Sequence, residues 1–200
     1  MNPNYKENEV SFYLEDTNTP AIIVPNGTLA EKNVSEGALS AARAAKSRQV
    51  RTLEIVHDVP TASRSKSVMR LVDQNGSLPT GEATVAEEDD TALILHTSGT
   101  TGRPKAVPLT HKNLLTSMHN IQKTYELSPN DKTFLVMPLF HVHGLICALL
   151  SSLLACSSVV IPPRFSASTF WPEFVQTKSN WYTAVPTIHQ ILLALSLIHI

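Results

Sequence analysis

The chain has 200 residues, of which 42% are hydrophobic and 16% are charged. This balance is typical of a folded globular protein and excludes an intrinsically disordered chain. Because 16 Lys and Arg residues oppose 17 Asp and Glu residues, the net charge of −1 provides no field for attracting nucleic acid or an anionic membrane. We therefore expect a soluble protein without a nucleic-acid partner.

The predicted elements alternate between strands and helices along the whole chain. The expected strands cover residues 21–25, 51–56, 92–95, 133–137, 158–161 and 181–185. The expected helices cover residues 35–47, 111–125, 142–156 and 168–177, with a last helix from 187 onward. We interpret residues 57–90 as a long surface connection and 96–108 as a loop rich in Gly and Thr. This alternation predicts an α/β fold with a mostly parallel sheet and crossover helices.

Two residues and one apolar stretch refine this prediction. Thr110 is expected to cap the helix that follows it, and Pro172 to lie in the first turn of its helix. Residues 145–161 carry no charge, but they contain four serines and change to β-branched residues near their end. Since a membrane span needs about 20 mainly apolar residues, we interpret the stretch as a buried helix followed by a buried strand, without stable membrane insertion.

The loop after the fourth strand has the composition of a polyphosphate-binding site. Residues 96–105 contain two glycines, four hydroxyl side chains and Lys105. Glycines let backbone N–H groups approach an anion, hydroxyls donate further hydrogen bonds, and lysine adds a positive charge. The spacing matches neither the phosphate loop of nucleotide hydrolases nor the dinucleotide fingerprint. A simple surface turn rich in Ser, Thr and Gly is the alternative at this point.

Residues 97–105, TSGTTGRPK, closely resemble the phosphate-loop signature of the adenylate-forming superfamily, the AMP-dependent synthetases and ligases. The family signature normally continues with Gly, where this chain has Ala106. The resemblance implies that the chain forms part of the large N-terminal domain of such an enzyme. It also implies a set of residues that bind the ATP phosphates: Thr97, Ser98, Gly99, Thr100, Thr101, Gly102 and Lys105.

Residues 138–144, PLFHVHG, resemble a second signature of the same family, which lines the acyl pocket. The resemblance places His141 beside the carboxylate that is activated, as a catalytic residue, and adds His143 and Gly144 to the substrate pocket. A helix-capping histidine and a metal pair are the alternatives. Because zinc sites normally recruit three or four ligands and no further cluster is visible nearby, we expect no metal ligands here.

Residues 164–172 and 181–190 are similar to the corresponding segments of oxalate:CoA ligases, a subgroup of this family. They add Thr187 and His189 to the expected substrate pocket. The similarity extends from about Val10 to Leu193. Two other readings stay open: a 4-coumarate or medium-chain acyl-CoA ligase, and a non-catalytic module that only binds nucleotide.

The resemblance implies a two-step reaction with ATP, Mg²⁺ and CoA. A carboxylate oxygen attacks the α-phosphorus of ATP, pyrophosphate leaves, and the CoA thiol then displaces AMP. Two like charges about 4 Å apart repel by roughly 4 kcal/mol at an effective dielectric constant near 20, so cations and donors are needed. Lys105 and Mg²⁺ would meet the phosphates, while His141, His143 or His189 would meet the second carboxylate of oxalate as donors or cations.

We expect residues 1–200 to form only a partial AMP-binding N-terminal domain, with the phosphate loop at 96–108 and the acyl-pocket segment at 138–144. The family segments for adenine and ribose, the hinge and the C-terminal domain with the catalytic lysine are not found. We expect these residues alone to be inactive. The expected compartment is cytoplasmic, because the chain ends in Ile-His-Ile rather than a peroxisomal tripeptide. A peroxisomal parent protein stays open.

Overall fold

The computed structural model describes residues 1–58, 67–73, 84–97 and 103–197. They belong to two compact units, Met1–Val85 and Ala86–Ile200. Each unit combines strands with helices, so the predicted α/β class is confirmed. Within the described residues, no helix is both long and apolar enough to cross a membrane.

The described residues of the first unit form a three-stranded sheet and two helices. Its elements are α1 (Glu7–Asp16), β1 (Ala21–Pro25), α2 (Glu36–Ser47), β2 (Arg51–Asp58) and β3 (Val68–Val72). Strands β1 and β2 are parallel, with Ala21 opposite Arg51, as expected for two strands joined by a crossover helix. Strand β3 pairs with β2 in the antiparallel direction.

The interpretation of residues 57–90 as a connection without secondary structure was wrong for β3. The side chains of β3 are mostly exposed, including Val68 and Met69. The strand therefore lacks the alternation between buried and exposed residues by which strands are recognised in a sequence. Its pairing with β2 is a nonlocal interaction that the local composition does not show.

Small side chains on α2 form the core of the first unit. Ser35 caps α2 by accepting a hydrogen bond from the backbone N–H of Ala38. The buried faces of the two helices and of β1 meet in one cluster: Val10, Leu14, Val24, Ala41, Ala44 and Ala45. Helix α1 was not predicted, although Val10 and Leu14 have the spacing of one helical face.

The second unit contains two pairs of strands and the remaining helices. Its elements are β4 (Thr91–Thr97), β5 (Lys105–Thr110), α3 (His111–Thr124), β6 (Lys132–Phe134), a π-helix (His143–Leu150), α4 (Ser151–Leu154), β7 (Ser158–Val160), α5 (Ala167–Gln176) and α6 (Pro186–Leu197). Strands β6 and β7 are parallel, and β4 and β5 form an antiparallel hairpin. Of the four strand pairings among the described residues, two are thus parallel and two antiparallel.

Three local predictions in this unit need correction. Strand β5 begins inside the predicted loop 96–108 and extends to Thr110, and Pro108, which cannot donate a ladder hydrogen bond, obscured it. Residues 181–185, which were predicted as a strand, form a single bridge among the described residues, from Trp181 to Thr133, while the side chains of Tyr182 and Ala184 pack into the core. Pro172 lies inside α5 rather than in its first turn, since the helix already begins at Ala167.

The π-helix and α4 are joined by buried hydroxyl groups. Ser151 Oγ donates to the carbonyl of Ile146 at 2.7 Å, and Ser152 Oγ donates to the carbonyl of Ala148 at 2.6 Å. Ser152 Oγ also lies 2.6 Å from Thr133 Oγ1 on β6. All three hydroxyl residues are buried, so these bonds satisfy groups that would otherwise be costly to bury.

An aromatic cluster fills the core of the second unit. Phe134 of β6 and Phe170 of α5 are almost fully buried and meet edge to face, with ring centroids 5.4 Å apart. Tyr182 packs edge to face against Phe170 at 5.0 Å. The segment that carries Tyr182 is therefore fixed by the core, and this segment leads directly into the candidate site.

Candidate active site

The β4–β5 hairpin presents the predicted phosphate loop. Thr97, the last residue of β4, is the cross-strand partner of Lys105, the first residue of β5. Both residues are exposed. The hairpin thus brings together the two ends of the signature. The predicted phosphate ligands Ser98, Gly99, Thr100, Thr101 and Gly102 lie outside the described residues.

Ala106, which replaces the glycine of the family signature, is compatible with its local structure. It lies in β5 opposite His96, in a strand conformation that any L-residue adopts. No left-handed backbone angle is required there. The departure from the signature therefore carries no steric cost in the strand.

The second predicted segment forms a tight turn that leads into the π-helix. The backbone N–H of His141 donates to the carbonyl of Pro138 at 3.1 Å, and that of Leu145 donates to the carbonyl of His141 at 3.0 Å. A Cβ atom on Gly144 would lie 2.3 Å from the carbonyl oxygen of Pro138 and 2.6 Å from that of Met137. Only glycine fits this position, because both contacts would be with backbone atoms.

The turn also fixes the tautomer of neutral His141. The backbone N–H of His143 donates to Nδ1 of His141 at 3.3 Å. Since a nitrogen that accepts a hydrogen bond carries no proton, the neutral ring must carry its proton on Nε2. His141 is exposed, so its Nε2–H group is a donor available to a ligand.

His143 is half-buried and contacts a residue far away in the sequence. Its Nε2 lies 2.8 Å from Oγ1 of Thr183. Burial lowers the pKa of His143, and positive charge on His141 and His189 lowers it further. His141 is hydrogen-bonded to the backbone of His143, and His189 is hydrogen-bonded to Tyr182 and Ala184, the two neighbours of Thr183, so the three histidines lie in one cluster. The lowered pKa favours the neutral form of His143, and therefore a hydrogen-bonding role for its ring over a cationic one.

His189 already has protein partners at both ring nitrogens. Its Nε2 lies 3.1 Å from the carbonyl oxygen of Ala184, which only accepts, so Nε2 must be the donor. In the neutral ring, Nδ1 then accepts from the hydroxyl of Tyr182 at 3.2 Å. Burial raises the pKa of Tyr182, which keeps this hydroxyl protonated. Tyr182 also packs against the imidazole, with centroids 5.2 Å apart.

The remaining predicted residue, Thr187, is exposed in the first turn of α6, two residues before His189. The sequence did not single out Thr183 or Tyr182 as site residues, although both lie in the segment that carries the subgroup resemblance. Thr183 is separated from His143 by 40 residues, and no local pattern predicts that contact. In the described part of the chain, no group of three or more His, Cys, Asp or Glu residues could hold a metal ion.

Comparisons with known proteins agree with both signatures. The family model described as AMP-binding enzyme matches residues 1–199. The oxalate–CoA ligase of Arabidopsis thaliana is 43% identical over 96% of this chain, and that of Saccharomyces cerevisiae is 40% identical over 96%. The chain spans only 36% and 37% of the length of these two relatives.

Solved structures show the same fold. The O-succinylbenzoate coenzyme A synthetase of Bacillus subtilis, solved with ATP and magnesium ion, is 23% identical. It matches with a TM-score of 0.67 over 97% of this chain and 35% of its own. At this identity the likeness shows the fold alone. The family match, however, covers nearly every residue, and the chain therefore belongs to the AMP-binding enzyme family.

Proposed function

We propose that these residues form part of the N-terminal domain of an ATP-dependent acid:CoA ligase, which adenylates a small dicarboxylate, with oxalate as the first choice. The observation that carries this proposal is the cluster of His141, His143 and His189 behind the tight Gly144 turn. His141 and His143 lie on the segment that resembles the acyl-pocket signature, His189 lies on α6, and the protein hydrogen bonds of all three rings are defined.

The hairpin supports the ATP part of the proposal. In the proposed first step, a carboxylate oxygen forms a bond to the α-phosphorus of ATP while the bond to pyrophosphate breaks. Both reactants are anions and repel each other. Lys105 and Thr97 lie side by side at the end of the hairpin and supply an ammonium group and a hydroxyl for the phosphates. Bound Mg²⁺ would neutralise further phosphate charge.

The histidine cluster supports the choice of a dicarboxylate. The Nε2–H of His141 is an available donor, and the neutral ring of His143 can offer a second one. Oxalate presents an additional carboxylate that needs such donors. A 4-coumarate or medium-chain acyl group offers no second carboxylate to these donors, and leaving the donor of the half-buried His143 unpaired would cost about 1–3 kcal/mol.

Because the chain spans little more than a third of the length of these relatives, a chimera gives the sharpest test. These residues would replace the matching part of the oxalate–CoA ligase of Arabidopsis thaliana, with which they share 43% identity. We expect AMP formation that depends on both oxalate and CoA. A chimera that is folded and binds ATP but forms AMP only with 4-coumarate or medium-chain acids would contradict the substrate assignment.

Single substitutions in this chimera test the role of the cluster. His141→Ala is expected to raise the KM for oxalate, because an available donor is removed. His189→Ala is expected to act more weakly, because both of its ring nitrogens are bonded within the protein. Lys123→Ala, on the exposed last turn of α3, is the matched control and should leave oxalate use unchanged. Wild-type oxalate use by both histidine variants would exclude the cluster from the substrate site.

A non-catalytic nucleotide-binding module is the second candidate, supported by the hairpin alone. The same chimera distinguishes the two functions. A module would gain thermal stability with ATP and magnesium, by RT ln(1 + [L]/Kd), without any AMP release. A ligase shows both the stabilisation and the turnover.

A further inference from the structure

Thr183 contacts the ring of His143, although the sequence did not single it out as a site residue. Its Oγ1 lies 2.8 Å from Nε2 of His143, in a half-buried position. Its neighbours on either side, Tyr182 and Ala184, belong to or pack against the aromatic core. The core therefore fixes the backbone that carries the Thr183 hydroxyl, and the hydroxyl in turn has a fixed position against the imidazole.

The direction of this hydrogen bond decides which nitrogen of His143 carries the proton. If Nε2–H donated to Oγ1, the hydroxyl proton of Thr183 would need another acceptor. Among the residues that the structure describes, His143 is the one hydrogen-bond partner of that hydroxyl. A hydroxyl can both donate and accept, but a neutral imidazole nitrogen does only one of the two. Donation from Thr183 to Nε2 satisfies both groups at once.

We propose that Thr183 is a positioning residue that holds neutral His143 as the Nδ1–H tautomer, so that this ring offers a donor to a substrate carboxylate. The inference rests on the proposed function for the identity of the ligand. The other two histidines of the cluster have the opposite tautomer, because Nδ1 of His141 and Nδ1 of His189 act as acceptors. His143 would then be the one histidine of the cluster that is protonated on Nδ1 in its neutral form.

The Nδ1–H tautomer of His143 provides a hydrogen-bond donor for the substrate. With Nε2 bonded to Thr183, Nδ1 is the ring nitrogen that remains for a ligand. A carboxylate only accepts hydrogen bonds, so a bare Nδ1 would repel it and a protonated Nδ1 would bind it. One hydroxyl thus decides whether His143 attracts or rejects an anionic substrate.

Nitrogen NMR of the imidazole rings tests the tautomer directly in the 200-residue chain. Correlation spectra of the chain labelled with ¹⁵N would be recorded above neutral pH, and the signals of His143 assigned with a His143→Gln variant. We expect Nδ1 to have the shift of a protonated nitrogen and Nε2 that of a bare nitrogen. The reverse pattern in the wild-type chain would overturn the inference.

Three variants separate the effect of the Thr183 hydroxyl on the tautomer from the effect of the shape of the side chain. Thr183→Val removes the hydroxyl and should lower the ratio of Nδ1–H to Nε2–H about fivefold, the scale of one neutral hydrogen bond. Thr183→Ser should restore the wild-type ratio. Thr124→Val, at an exposed position at the end of α3, is the control and should change nothing. An unchanged ratio in a folded Thr183→Val variant would exclude Thr183 as the cause.

Failure of this inference can be told from failure of the proposed function. The tautomer is measured without turnover, ATP or CoA. If the chain shows the expected tautomer while the chimera does not use oxalate, the substrate assignment is wrong and the role of Thr183 stands. If the chimera uses oxalate while His143 is protonated on Nε2, the role of Thr183 is wrong and the substrate assignment stands.

Discussion

Replacing Gly144 by alanine tests the tight turn under the histidine cluster. The new Cβ would lie 2.3 Å from the carbonyl oxygen of Pro138, and this contact must lengthen to about 3.0 Å, a movement of about 0.7 Å. Overpacking costs about 1–3 kcal/mol, and backbone carbonyls on two sides favour the upper value. Alanine regains about 1 kcal/mol through its helix propensity. We expect a net loss of about 2 kcal/mol.

Urea unfolding monitored by tryptophan fluorescence measures this loss selectively. The chain contains two tryptophans, Trp171 and Trp181, and both belong to the second unit together with Gly144. With a urea slope of about 1–3 kcal/mol per molar, a loss of about 2 kcal/mol lowers the midpoint by about 1 M. The slope itself should not change.

Gly37→Ala is the matched control, because Gly37 is also the second residue of its helix. Its new Cβ would meet the carbonyl oxygen of Pro3, which belongs to the first unit and lies before α1. The tryptophan signal should therefore be unaffected. A wild-type or higher midpoint for Gly144→Ala would refute the argument that backbone carbonyls exclude a side chain at this position.

Three further predictions concern the same unit. Ser152→Ala should destabilise the second unit by about 1–3 kcal/mol in urea unfolding, because the buried hydroxyl of Thr133 loses its partner. Adding Thr133→Val removes that unpaired hydroxyl and should recover part of the loss. Folding lowers the pKa of His143, so the free energy of unfolding should be highest above about pH 6.5. It should decrease as the pH falls toward the lower pKa of the folded state and then become constant. A His143→Gln variant should lose this pH dependence. In the chimera, Lys105→Ala should weaken binding of ATP with magnesium about tenfold in calorimetry, since one charged contact to phosphate is lost, whereas Ala106→Gly should leave it unchanged.

The features that the sequence predicted correctly are mainly local ones. Thr110 caps α3 through a reciprocal pair of bonds with Asn113, an arrangement set by residues three apart. The strand–helix–strand unit from β1 to β2 follows from short apolar strands and an Ala-rich helix. Family membership was predicted from the two signatures, because each signature is a short continuous stretch of the sequence.

The features that the sequence did not predict depend on distant contacts. Strand β3 exists through its pairing with β2, and its exposed side chains carry no alternation. Residues 181–185 were predicted as a strand, but among the described residues they form one bridge, to Thr133, which lies 48 residues before Trp181. The contact from Thr183 to His143 spans 40 residues and requires the fold to be known.

In the proposed function, the hairpin and the histidine cluster belong to an enzyme that activates a small dicarboxylate. The most direct measurement is the exchange of labelled pyrophosphate into ATP by the chimera with the Arabidopsis thaliana relative, with and without oxalate. We expect exchange that requires oxalate and is strongly reduced by Lys105→Ala. Oxalate-independent exchange, or no exchange by a folded chimera that binds ATP, would contradict the proposed function.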